Sequence, residues 1–151
     1  MDDGSAPRRD SEPEIGRFVD AGGIRTNYHR HGAGPPVLLV HGSGPGVSAW
    51  ANWRLTIPAL AEHSDVVAPD VVGFTDRPAG FEYSLEAWRG HLIDVADALG
   101  LERFSVVGNS FGGGLAISMA VNAPERVDRC GHWTQIEHAE EFNRLVMGFL
   151  G

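Results

Sequence analysis

The chain has 151 residues, a length that fits one domain with a substantial hydrophobic core. Its basic residues are 12 arginines with no lysine, against 20 Asp plus Glu, for a net charge of −8; this excludes a phosphate-wrapping nucleic-acid binder, a Schiff-base lysine and a P-loop lysine. The single cysteine, Cys130, excludes a disulfide framework and a multi-cysteine zinc site within the chain, and the absence of a long apolar run or an apolar leader sets the expectation of a cytoplasmic protein with no membrane partner.

Residues 1–15 are polar, charged and proline-containing, and read as a disordered tail ahead of a single domain over 16–151. Arg17 to Arg30 reads as strand, turn, strand, with Ala21-Gly22-Gly23 as the turn. Val37–Val40 is a continuously apolar run, the mark of a strand buried on both faces. Trp50 to Glu62 reads as one helix and Asp65–Pro69 as a second buried strand. After a loop rich in Gly, Pro and Asp, Ser84 caps a helix to about Leu99, with Leu85, Trp88, Leu92 and Val95 on its apolar face. Phe104–Val107 is a third buried strand, followed by a helix from Phe111 to about Asn122. A last helix runs from Thr134 to Phe149, with Ile136, Phe142, Leu145 and Phe149 as core positions. Short apolar strands alternating with helices predict an α/β fold on a parallel sheet.

Three stretches carry chemistry. Gly108-Asn109-Ser110-Phe111-Gly112 follows a buried strand and opens a helix, the context of a G-x-S-x-G nucleophile elbow. Glycines flank a turn too tight for side chains, the Ser110 hydroxyl is lifted to the top of the sheet, and the Phe111 N–H at the helix start points at a developing oxyanion. The loop His41-Gly42-Ser43-Gly44-Pro45-Gly46 also ends a buried strand and leaves backbone N–H groups free for an oxyanion. On paper, Gly44 to Ala49 also matches a dinucleotide-binding turn. Pro45 removes an N–H that a phosphate would use, and Asp70 stands 26 residues beyond Gly44 where about 20 is usual. The oxyanion reading therefore stands ahead. Finally, Cys130-Gly131-His132-Trp133 supplies a histidine downstream of Ser110, the order a serine nucleophile and its base require.

These stretches, with Ala49-Trp50-Ala51-Asn52-Trp53-Arg54 and Gly112-Gly113-Gly114, resemble the α/β hydrolases that cleave carbon–carbon bonds in meta-cleavage products of aromatic ring degradation, the 2-hydroxymuconic semialdehyde hydrolases above all. The resemblance implies Ser110 and His132 as nucleophile and base, the N–H groups of Ser43 and Phe111 as the oxyanion hole, and Asn52, Asn109 and Trp133 around the hydroxy-dienoate end of a small-molecule substrate. It implies ketonisation of a dienol and hydrolytic C–C cleavage, with no metal or organic cofactor. A generic carboxylesterase would share the elbow alone. A non-catalytic remnant of the fold is the third reading.

The chain departs from that family between Arg129 and Cys130, where family members carry a helical cap, the last strands and the triad acid. Ser110 and His132 are 22 residues apart here, and Asp70, Asp94 and Asp128 fall outside any motif that supplies the acid, so the acid is unassigned. The return is still feasible in length. A twelve-residue helix is about 18 Å long, and the nine residues Ala123–Gly131 span about 30 Å when extended. The predicted route is an edge strand over about Arg126–Gly131, parallel to Phe104–Val107 by a right-handed crossover, with His132 at its tip. An open sheet edge there favours self-association into a homo-oligomer.

Overall fold

In the computed structural model of the chain, the described residues are 13–132 and 139–150. Six strands form one sheet: β1 (Arg17–Ala21), β2 (Ile24–His31), β3 (Pro36–Val40), β4 (Asp65–Pro69), β5 (Phe104–Gly108) and β6 (Val127–His132), in the order β1-β2-β4-β3-β5-β6. β4, β3, β5 and β6 run parallel, and β1 and β2 are antiparallel to their neighbours. The sheet is thus mixed, and the expected parallel arrangement holds over four of the six strands. The hairpin explains the exception. Gly22 and Gly23 both have positive φ, 60° and 85°, and a two-residue turn of that kind joins antiparallel strands.

Each face of the sheet carries its own core. Leu38, Val40, Val67, Phe104 and Val106 pack against Leu92 and Ala96 of α3 (Leu85–Ala98) and against Leu115, Ala116 and Met119 of α4 (Phe111–Asn122). Alternate residues Val37, Leu39, Val66, Ala68 and Val107 face α1 (Ala49–Trp53), α2 (Ile57–Leu60) and Val146 of α5 (Ala139–Leu150). The continuous apolar runs of β3 and β4 follow directly from this burial on both faces.

Three expectations change. The helix over Trp50–Glu62 is two short helices. Pro58 sits in the first turn of α2; inside one continuous helix its ring would collide with the carbonyl four residues back and leave no N–H to donate. On α3 the buried residues are His91, Leu92, Val95 and Ala96, with Trp88 partly buried against the same core, while Leu85 in the first turn is exposed. Glu14, expected within the tail, is tied to β2: its carbonyl accepts from Asn27 Nδ2 (2.9 Å), and Gly16 N–H donates to Asn27 Oδ1 (2.8 Å). Of the expected last helix, Thr134 and Ile136 lie outside the described residues, as do the side chains of Phe142, Leu145 and Phe149.

Ser84 caps α3 as expected, its Oγ accepting from Ala87 N–H at 3.1 Å. Ser84→Ala is expected to lower stability by about 1 kcal/mol, read as a shift of the urea midpoint with an unchanged slope.

Candidate active site

The strand order reverses direction at β3, with β4 on one side and β5 on the other. The loops leaving the carboxyl ends of β3 and β5 therefore pass to opposite faces of the sheet, the arrangement at which ligands usually bind in such folds. Those two loops are the His41–Gly46 stretch and the Ser110 elbow.

Ser110 has φ 53° and ψ −114° and is the one non-glycine residue with positive φ among the described residues. A serine in that conformation stores strain, and the surroundings hold it there. Asn109 N–H donates to the Val40 carbonyl (3.0 Å), and the Gly112 and Gly113 N–H groups return to the Asn109 and Ser110 carbonyls (2.8 and 2.9 Å). Both flanking glycines are obligatory. A Cβ on Gly108 would come within 3.0 Å of the Gly112 carbonyl, and one on Gly112 within 3.0 Å of the Val40 carbonyl. The Ser110 side chain makes no capping bond to its helix and is exposed.

Phe111 is the first residue of α4, so its N–H has no intrahelical acceptor. Its ring is fixed edge-on to Trp88 (4.9 Å between centroids) and against Phe74 (5.6 Å), and Trp88 is itself held by its Nε1–H donating to the Val72 carbonyl (2.8 Å). Ser43 is exposed at the start of the β3 loop. The preceding Gly42 lies against the elbow: a Cβ there would stand 3.2 Å from the Asn109 carbonyl oxygen and 3.5 Å from the Ser110 Cβ. Asn52 joins the two loops. Its Oδ1 accepts from Gly42 N–H and from Asn109 Nδ2, both at 2.9 Å. Elbow, β3 loop, Asn52 and Asn109 are thus one connected unit.

β6 pairs with β5 in parallel, with Gly108 opposite His132. The backbone of His132 therefore ends the neighbouring strand two residues before the nucleophile position in register, along the route predicted from chain length. Trp133 lies outside the described residues. The edge beyond β5 is occupied by β6. That strand carries charge, Asp128 being ion-paired with Arg103 and Arg126, just before the strand, with Asp97, a pattern that discourages further strand addition.

Two of the three aspartates considered for the triad acid, Asp70 and Asp128, have structural partners. Asp70 is buried, accepting from Ala49 N–H at 2.7 Å and from Asn27 Nδ2 at 3.0 Å; it anchors the start of α1 to β2. Asp94 stands on α3 against Gly22, and Asp128 belongs to Arg103. Among the described residues no group of three or more His, Cys, Asp or Glu is placed to hold a metal, and no helix is long and apolar enough to cross a membrane.

Sequence reasoning passes over His41. It is fully buried, with Nδ1 2.7 Å from the Gly42 carbonyl and Nε2 accepting from Val71 N–H at 2.8 Å. Burial pushes its pKa below the ordinary imidazole value, against opposing contributions from the Gly42 carbonyl and Asp70. The available signal is a histidine ending a strand whose other residues are all apolar.

Comparison with known proteins places this geometry. The model of the alpha/beta hydrolase fold family matches residues 35–147. The chain is 58% identical over 118 residues to a 2-hydroxy-6-oxo-2,4-heptadienoate hydrolase of Pseudomonas putida, and 54% identical over 121 residues to a 2-hydroxymuconate semialdehyde hydrolase of a Pseudomonas species. These alignments take in 77% and 79% of this chain, and the chain spans 43% of the length of each relative. Among solved structures, a meta-cleavage product hydrolase from Pseudomonas fluorescens superposes with a TM-score of 0.76 at 58% identity, covering 77% of this chain and 43% of that one. With the sheet order, the strained serine between β5 and α4 and the family match over residues 35–147 in agreement, the chain belongs to the α/β hydrolase family.

Proposed function

We propose that the chain is a serine-dependent hydrolase of the C–C bond class, acting in the cytoplasm on 2-hydroxy-6-oxo-dienoate products of aromatic ring cleavage, without metal or organic cofactor. The observation that carries the reading is the strained Ser110 locked to the Asn52–Asn109 pair. In this reading the dienol first ketonises. Ser110 Oγ then attacks the distal carbonyl, giving its proton to His132, and the oxyanion is met by the N–H groups of Ser43 and Phe111. Breaking the C–C bond sends its electron pair through the enone to the C2 keto oxygen, which takes a proton and re-forms a dienol, and water then cleaves the acyl group from Ser110, supplying the hydroxyl of the released carboxylic acid. Asn52, Asn109 and Trp133 hold the hydroxy-dienoate end.

The reading has no triad acid. Such an acid fixes the histidine tautomer, and its replacement alone lowers kcat by about 10⁴, whereas an oxyanion hole with binding still gives about 10³–10⁴ over water. Slow turnover is therefore expected. The test follows consumption of a 2-hydroxy-6-oxo-dienoate and of p-nitrophenyl acetate at high protein concentration, in the native chain, Ser110→Ala and Asn109→Ala. Ser110-dependent loss of the dienoate, reduced about 10- to 100-fold in Asn109→Ala with the ester reaction little changed, supports the reading; a lost buried polar partner costs about 1–3 kcal/mol. A preference for the ester would make the chain a general carboxylesterase. No Ser110-dependent loss of either substrate would make it a non-catalytic member of the fold.

A further inference from the structure

The oxyanion hole of the proposed reaction needs one N–H from the β3 loop, and the loop residues around Ser43 are exposed and rich in glycine. Something must aim that N–H. Asn52 grips the Gly42 N–H, which belongs to the peptide unit before the one that matters. The Ser43 N–H shares its rigid peptide plane with the Gly42 carbonyl, so whatever holds that carbonyl sets the direction of the N–H on the opposite side of the plane. The Gly42 carbonyl oxygen lies 2.7 Å from His41 Nδ1.

The tautomer of His41 follows from its other bond. Val71 N–H donates to Nε2 at 2.8 Å. A backbone N–H cannot do otherwise, so Nε2 carries the lone pair. In the neutral ring the proton is then on Nδ1, which donates to the Gly42 carbonyl. Burial keeps the ring neutral, and the Phe74 ring, edge-on at 5.6 Å, closes its side. One imidazole therefore connects the end of β4, through Val71, to the carbonyl that orients the Ser43 N–H.

We propose that His41, fixed as the Nδ1–H tautomer between the Val71 amide and the Gly42 carbonyl, is the positioning residue that aims the Ser43 N–H at the oxyanion. The proposal rests on the hydrolase reading above and adds to it a residue that touches neither substrate nor nucleophile. Asparagine and glutamine separate the two halves of the strut. In His41→Asn the side-chain Nδ2 would replace the donor to the Gly42 carbonyl, whereas in His41→Gln the side-chain Oε1 would replace the acceptor of the Val71 N–H. The variants His41→Asn, His41→Gln and His41→Phe are compared for the rate at which a fluorophosphonate labels Ser110, since phosphonylation also develops an oxyanion. Loss of an oxyanion donor outright costs about 10²–10³-fold. A misaimed one is expected to cost about 10- to 100-fold in His41→Phe and His41→Gln, with the rate restored to within about threefold in His41→Asn.

The native chain is followed in parallel by ¹⁵N spectroscopy, which needs no activity. The expected His41 pattern is a protonated Nδ1 with an acceptor Nε2, and the Ser43 amide resonance should shift in His41→Phe and His41→Gln but not in His41→Asn. A protonated Nε2 in the native chain overturns the proposal, as does rescue by His41→Gln in place of His41→Asn, or labelling of His41→Phe at the native rate. If the native chain does not label at all, the hydrolase reading fails, and the ¹⁵N pattern still decides whether His41 sets the Ser43 amide. If His41→Phe does not fold, the comparison of His41→Asn with His41→Gln and the native tautomer decide it.

Discussion

Gly108→Ala is expected to abolish the native fold of the elbow and to lower stability by about 4 kcal/mol or more, at the upper end of what single substitutions do. The reason lies in the backbone. The new Cβ would come within 3.0 Å of the Gly112 carbonyl and the Gly113 nitrogen, and backbone atoms cannot swing aside as a side chain can. Relief requires moving the first turn of α4 away from β5. That turn carries Ser110 and Phe111, and the helix behind it buries Leu115, Ala116 and Met119 against the sheet. Gly114→Ala, on the same helix, is the control: nothing lies near its Cβ position, and alanine is the better helix former by roughly 1 kcal/mol. Urea unfolding should separate the two variants in opposite directions from the native chain. A Gly108→Ala protein as stable as the native chain would mean that the elbow has room for a methyl group after all.

Acidification is expected to remove about 3 kcal/mol of stability through His91. This ring is buried in α3, with Nε2 2.9 Å from Thr26 Oγ1 and Nδ1 buried without a partner among the described residues. The Thr26 hydroxyl also reaches the Ile24 carbonyl at 3.2 Å, an arrangement that suits a neutral ring donating from Nε2. A second proton on Nδ1 would have no acceptor. Burial accordingly lowers the pKa from 6.5 to about 4. The direction of the effect follows from linkage. Above pH 6.5 the ring is neutral in both the folded and the unfolded chain. Between pH 6.5 and about 4 the unfolded chain takes up a proton that the folded chain refuses, so stability falls as pH falls through that window and the loss levels off below it. Burial shifts His29 and His41 the same way, which adds to the slope. Urea midpoints at about pH 7.5, 5.5 and 4.5 for the native chain and His91→Phe measure the effect. The variant is expected to lose about one proton's worth of slope over the window, and an identical slope in both would remove His91 from the account.

The elbow is legible in the sequence because its constraint is local. A glycine on each side of a serine, an apolar strand before it and a helix after it state the whole geometry within about ten residues, and the structure adds the φ value and the two backbone collisions. The β6 return is legible for a similar reason, since chain length and crossover direction leave few routes back to β5. Features built from distant residues are not legible. Pro58 is different: the break it makes between α1 and α2 is local to its own ring and missing N–H, a signal present in the sequence that the one-helix reading overlooks. Asn52 and Asn109 are 57 positions apart, and nothing in either segment says that Asn52 Oδ1 holds both the Asn109 side-chain amide and the Gly42 N–H. Asp70 reads in the sequence as an acid of unassigned role, and its capture by Ala49 N–H and Asn27 depends on β2 lying antiparallel beside β4. The bond from Val71 to His41 spans 30 positions and is hidden for the same reason, although a lone histidine closing an apolar strand is itself visible.

The proposed function stands on Ser110 being a reactive nucleophile at the tip of its strained elbow. Peptide mapping of the purified chain after exposure to a fluorophosphonate tests it most directly, because the reaction requires a reactive serine hydroxyl and an oxyanion site but neither a cap nor a matched substrate. A phosphonylated peptide carrying the label on Ser110 is expected, and no labelled serine at all in Ser110→Ala. A label on another serine that survives in Ser110→Ala, or a folded native chain that takes up no label, would contradict it.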